Sequence, residues 1–142
     1  MEDLRKAKEL LAGGTYTCVL CKDSNVLTCT ARGVRPLVQW LASGTDLQGF
    51  SAADKVVGKA TAYLYVLLGV RAVYSHVISK GALNVLQSHA IDISYGTLAD
   101  HIINRAGDGI CPFEQAVENS ASPEDAYRDI RRQMEIMGIT VQ

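Results

Sequence analysis

No charge of one sign dominates this chain. Across 142 residues, 14 lysines and arginines stand against 15 aspartates and glutamates, for a formal net charge of -1. A phosphate backbone is gripped by clustered cations, so no nucleic-acid partner is expected, although a single nucleotide could still be held locally. Long hydrophobic runs are missing too. The most apolar stretch, Ala60 to Val70, falls far short of the roughly 20 residues that a membrane-spanning helix needs. Met1-Glu2-Asp3-Leu4-Arg5-Lys6 is charged and lacks the apolar core of a secretion signal, so no membrane partner is expected and the cytoplasm is the expected setting. Cysteine is scarce: Cys18, Cys21, Cys29 and Cys111. Cys18-Val19-Leu20-Cys21 has C-x-x-C spacing without a second such pair. It lies in a β-prone run, where positions three apart face opposite ways and cannot converge on one ion. Reduced, packed thiols are expected, with no metal and no cofactor.

What is present suits an ordinary globular domain: 48% hydrophobic and 20% charged residues. A chain of this length buries roughly two thirds of its unfolded surface and can fold without disulfide or metal. Repeats and linkers are absent, so residues 1–142 are expected to form one domain. Leu4, Ala7, Leu10 and Leu11 share one face of a helix that Gly13-Gly14 stops. Tyr16–Cys21 and Val26–Thr30 predict a hairpin around Lys22-Asp23-Ser24-Asn25, with Cys18 opposite Cys29. A cross-strand disulfide is compatible with that register, while a thiol pair is expected in a reducing compartment. Arg35-Pro36-Leu37 begins a short helix. Ser51-Ala52-Ala53-Asp54 matches the S-x-x-[DE] capping pattern and predicts a long, largely apolar central helix ending before Gly69. Val70–Ser79, Lys80–His89 and Ile91–Tyr95 predict a parallel β-α-β unit with a right-handed crossover. A short helix over Thr97–Asn104, a turn at Arg105–Gly109, a helix opened by Cys111-Pro112 and an amphipathic helix over about 123–138 complete the chain. An antiparallel hairpin joined to parallel units gives a mixed sheet with helices on both faces.

Three segments, with Val77-Ile78-Ser79-Lys80, carry a family resemblance: Gly33-Val34-Arg35-Pro36-Leu37, Asp54-Lys55-Val56-Val57-Gly58-Lys59-Ala60, and Asn104-Arg105-Ala106-Gly107-Asp108-Gly109-Ile110-Cys111-Pro112. From about Leu4 to Glu118 the chain resembles a small bacterial family, domain of unknown function 1893. That resemblance implies a cytidine-deaminase-like α/β fold: a three-layer α/β/α sandwich on a five-stranded mixed sheet. It also implies assembly into a homo-oligomer, a habit of such folds. Zinc deaminases carry a ligand and a proton-shuttling glutamate in H-x-E at one helix start and P-C-x-x-C at the next. Here the corresponding segments read Asp54-Lys55-Val56-Val57-Gly58-Lys59 and Ser79-Lys80-Gly81-Ala82, so zinc-dependent deamination is not expected.

Two constellations remain. Asp54 and Lys59 offer a carboxylate and an ammonium for proton transfer or for holding a polar substrate, with Lys55 alongside and Gly58 permitting close approach. Equally, Asp54 could cap its own helix, Gly58 could serve packing, and the lysines could be solvated. A mid-helix glycine costs about 1 kcal/mol and asks for a reason. Val57-Gly58-Lys59-Ala60-Thr61 is not a phosphate-binding loop, because Ala53 and Ala60 replace the required Gly and Ser/Thr. In the second constellation, Cys111 stands at a helix amino terminus that favours thiolate, opposed by Glu114. A packed, capping cysteine is the plainer reading. Asn104 and Arg105 could bind an anion or simply brace the turn. His76, His89 and His101 lack ligand spacing and are expected to be structural. The expected function is therefore a deaminase-like pocket, including Ser79, that binds a small polar or nucleotide-like ligand. The alternative is a metal-free enzyme using Asp54, Lys59 or Cys111, which requires those groups to converge on one cleft.

Overall fold

Glu2–Gly13 forms helix α1, and two β-prone runs pair after it as strands β1 (Cys18–Lys22) and β2 (Asn25–Cys29). The computed structural model describes residues 2–31, 33–103, 107 and 109–141. The hairpin turn holds only Asp23 and Ser24, and Asp23 takes a positive φ of 55°, as a tight two-residue connection requires. Cys18 faces Cys29 in the register, as the sequence predicts. Helix α2 (Arg35–Ser43) has proline in its first turn and ends on left-handed Gly44.

Ser51–Val57 is strand β3, not the first turns of a helix, and helix α3 spans only Lys59–Leu68. Gly58 is therefore the α3 N-cap, with extended backbone at φ -98°, rather than a mid-helix residue. Asp54 belongs to a strand and caps nothing. Beyond Gly69 come strand β4 (Ala72–Ser79), helix α4 (Lys80–Ser88) and strand β5 (Asp92–Ala99). The helix expected from Thr97 does not form in its described part, because Thr97, Leu98 and Ala99 pair with Val77, Ile78 and Ser79 of β4. Helices α5 (Pro112–Ala116) and α6 (Pro123–Ile136) complete the fold, and Ser122 caps α6 by accepting from the Asp125 amide at 3.1 Å.

The sheet is five-stranded and mixed, in the order β2-β1-β3-β4-β5. Strand β1 runs antiparallel to both β2 and β3, while β3, β4 and β5 are parallel. One face is covered by α1, whose Ala7 and Leu11 bury against Val19, Cys21 and Ala53. The larger core lies on the other face, where α3 packs between α2, α4 and α6. Ala60, Ala62, Leu64, Tyr65 and Leu68 of α3 are all buried, so the helix touches neighbours around most of its circumference. The result is an α/β/α sandwich. Because Cys18 joins the large core and Cys21 the α1 side, the C-x-x-C thiols point to opposite faces of β1 and cannot share an ion. Among the described residues, no helix is long and apolar enough to cross a membrane.

Candidate functional site

Parallel strands deliver their carboxyl ends to the amino termini of the helices that follow, and a cleft opens there. Its volume is about 980 Å³, bounded by the end of β3, the starts of α2, α3 and α5, and the last turn of α6. The walls are largely apolar, with Val34, Leu37, Ile103, Phe113 and Met137 among them.

Asp54 is the acidic group on the β3 side of this cleft. It sits between Cys18 on β1 and Ser75 on β4 in the register, so the sheet fixes its backbone from both sides. The Tyr65 hydroxyl, carried on α3, donates to Asp54 Oδ2 at 2.7 Å. A phenol has one proton, so once it is given to the carboxylate the Tyr65 oxygen accepts from the Cys18 thiol, 3.1 Å away. Burial raises both the Cys18 thiol and the Tyr65 phenol well above their ordinary values, and Asp54 adds to each rise. Both donors stay protonated at neutral pH, and the chain runs Cys18 to Tyr65 to Asp54. Burial also pushes the Asp54 carboxyl up from 3.8 to about 6, against the lowering pull of the Tyr65 bond and the local backbone amides. Oxygen Oδ1 receives a long contact from the Val56 amide, at 3.4 Å, and the Lys55 amide also bears on the carboxyl.

A second carboxylate stands across the cleft with a different task. Glu114 of α5 accepts from the amides of Lys59 and Ala60, at 2.8 and 2.9 Å, and so caps α3 from outside. These are two of the four amides that a helix start leaves unpaired. A Cβ at Gly58 would lie 2.5 Å from the Glu114 carboxyl carbon, which explains why a glycine occupies this N-cap.

The predicted residues divide between this cleft and elsewhere. Asp54, Lys55, Gly58 and Cys111 line the cleft. Lys59 turns outward instead: its ammonium donates to the Glu118 carbonyl at 3.2 Å and stands 5.9 Å from the Tyr63 ring centre. Asp54 and Lys59 thus do not form a facing pair. Ser79 is buried and accepts from the Ala82 amide at 3.1 Å, as the cap of α4. Asn104 and Arg105 lie outside the described residues. His89 Nδ1 lies 2.9 Å from the Val85 carbonyl, and His76 Nδ1 lies 2.9 Å from the Tyr74 hydroxyl. His101 follows β5 outside any helix. Sequence reasoning missed Tyr65, Cys18 and the actual role of Glu114. One signal was readable: a tyrosine inside an apolar helical run needs a partner for its hydroxyl.

Several of the donors a metal would use are already engaged. Both Glu114 oxygens are held by α3 amides, Asp54 Oδ2 by Tyr65, and the Cys18 thiol by Tyr65 as well. Among the described residues no three His, Cys, Asp or Glu side chains gather as a metal site.

Comparison with known proteins gives the chain a family. The profile of a domain of unknown function, DUF1893 (TM1506), matches residues 6–134, and the chain belongs to that family. The crystal structure of a DUF1893 family protein (TM1506) from Thermotoga maritima superposes with a TM-score of 0.84 at 24% identity, over 93% of this chain and 90% of that one. That likeness establishes the fold. A dCMP deaminase from the cyanophage S-TIM5 in apo form matches at a TM-score of 0.42 and 13% identity, over 69% of this chain and 94% of that one. A similarity so loose carries no chemistry across. No curated protein matches the chain.

Proposed function

We propose that this member of the DUF1893 family binds a small ligand in the Asp54 cleft, one with an apolar body and a hydrogen-bond-donating edge, as in a nucleobase or nucleotide. The observation that carries the reading is the Asp54 carboxylate itself: one oxygen is fixed by the Tyr65 hydroxyl, while among the described residues the other meets no side-chain donor and has a long 3.4 Å contact with the Val56 amide. An acceptor left in that state, beside apolar walls, is suited to a donor on a planar, mostly apolar ring. Arg35 and Lys55 line the same cleft and are exposed, which suits a ligand that also carries an anionic group. Ligand selection by one oriented carboxylate resembles the way protein acceptors read exocyclic amino groups on bases. A cytoplasmic setting and assembly with further copies of the chain are parts of the same proposal.

The test is a thermal-shift screen of the purified protein against nucleobases, nucleosides and nucleoside monophosphates near pH 7.5. The expected result is stabilisation by at least one amino-bearing base, lost in Asp54→Asn. No stabilisation by any of them would overturn the reading. A second reading rests on the raised Asp54 carboxyl, at about 6: a base so close to neutrality suits proton transfer without a metal, with Cys111 on the same cleft. It predicts turnover of the bound ligand with a rising limb near pH 6, and binding without turnover would remove it.

A further inference from the structure

Three of the four free thiols lie on the side of the sheet that carries the cleft, and two of those share one position in the register. We infer that Cys18 and Cys29 form an oxidisable pair, a modification site that peroxides convert to a disulfide in the folded protein. The two residues lie directly opposite each other on the antiparallel strands β1 and β2. Opposed residues in such a pair place their side chains on one face, with Cα atoms about 4.5–5.5 Å apart, inside the 4.4–6.8 Å span a disulfide accepts. Both belong to the same packed cluster. Their exposure is unequal, which gives the reaction an order: Cys29 is partly exposed on the edge strand, while Cys18 is only 6% exposed. Cys21 is not a competitor, because it lies on the α1 face.

The chemistry balances with a peroxide as oxidant. The Cys29 thiolate attacks one peroxide oxygen; an S–O bond forms, the O–O bond breaks, and the departing oxygen leaves as water or alcohol after taking the thiol proton. Cys18 then attacks the sulfenic sulfur; an S–S bond forms, the S–O bond breaks, and hydroxide leaves as water with the Cys18 proton. Two thiols are oxidised, one peroxide is reduced, and no other reactant is needed. Burial raises both thiols, so both steps speed up as pH rises. The product reaches the cleft, because Cys18 in a disulfide no longer has a proton to give the Tyr65 oxygen.

The experiment treats the folded full-length protein with hydrogen peroxide, blocks residual thiols by alkylation, and maps peptides without reduction. The expected product is lighter by two hydrogen atoms, links the Cys18 and Cys29 peptides, leaves Cys21 and Cys111 alkylated, and accumulates faster at alkaline pH. Recovery of Cys18 and Cys29 alkylated or separately over-oxidised, or linked instead to Cys111, would overturn the proposal. Cys29→Ser is expected to abolish the mass loss, with circular dichroism reporting its fold. The wild-type peptide map decides the question even if that variant does not fold. None of these readouts depends on a ligand, so failure here and failure of the binding reading are separate results.

Discussion

Replacing Gly58 by alanine should destabilise the protein only while Glu114 is present. The added methyl would stand 2.5–2.6 Å from all three atoms of the Glu114 carboxyl group, closer than real contacts allow. That carboxyl is the end of a flexible side chain, so it swings aside rather than forcing the backbone to move. What is lost is its pair of bonds to the Lys59 and Ala60 amides. Losing a helix cap costs about 0.5–2 kcal/mol, and charge-assisted bonds in a partly buried place sit at the upper end. We therefore expect Gly58→Ala to cost about 1–2 kcal/mol, and Glu114→Ala about the same. In the Glu114→Ala background those three close atoms are gone. The backbone at Gly58 is extended and open to alanine, whose stiffening of the unfolded chain is worth about 0.4–1 kcal/mol. Alanine's poor capping offsets that gain, leaving about zero. Urea denaturation of the four proteins in this cycle measures the coupling as about 1–2 kcal/mol. Equal costs for Gly58→Ala in both backgrounds would refute the reasoning.

Asp54 should make stability fall as pH rises. Its folded carboxyl titrates at about 6 and its unfolded one near 3.8, so the folded state holds the proton longer. Stability from that proton is complete below about pH 3.8 and is lost as pH climbs through 6. The full difference corresponds to roughly 3 kcal/mol, reduced to about 1–3 because the carboxyl is partly exposed. Asp54→Asn should thus be more stable than wild type by that amount at pH 7.5 and equal to it near pH 3.5; parallel denaturation curves at both pH values check this. Tyr65→Phe removes a hydrogen bond that holds the Asp54 carboxyl down, so its midpoint should rise above 6 in a carbon-detected NMR titration. An unchanged midpoint would show that the Tyr65 bond does not act on it. Ser122→Ala removes the cap at the start of α6 and should cost about 0.5–2 kcal/mol by denaturant midpoint, with the slope unchanged.

The elements legible from sequence were those with local punctuation. The hairpin, α2, α4 and α6 each had a turn pair, a proline or a capping serine at the right place, and the structure follows them. Strand β3 was not legible, for a physical reason. Ser51, Ala52 and Ala53 are all buried, because the strand lies between β1 and β4 and is covered on both sides, so no polar alternation marks it. Alanines and an S-x-x-D spacing imitate a helix start, and only pairing with distant strands decides otherwise. Gly58 held the correction: taken as a cap rather than as an interior residue, it divides the run into strand and helix at the position observed. The sequence pattern puts Asp54 at a helix start, whereas it lines the cleft because β3 ends there. Its partners Tyr65 and Cys18 come from other elements, and no spacing along the chain could bring them to it. Along the chain Glu114 is a neighbour of Cys111, but its bonds reach across to α3.

The direct test of the central claim is calorimetric titration of the most stabilising amino-bearing base or nucleotide into wild-type protein and Asp54→Asn. One site per chain is expected in the wild type, with affinity falling at least about tenfold in the variant, the worth of one lost charged hydrogen bond. Equal affinity for both proteins would contradict it, because the ligand would then be held somewhere other than at Asp54.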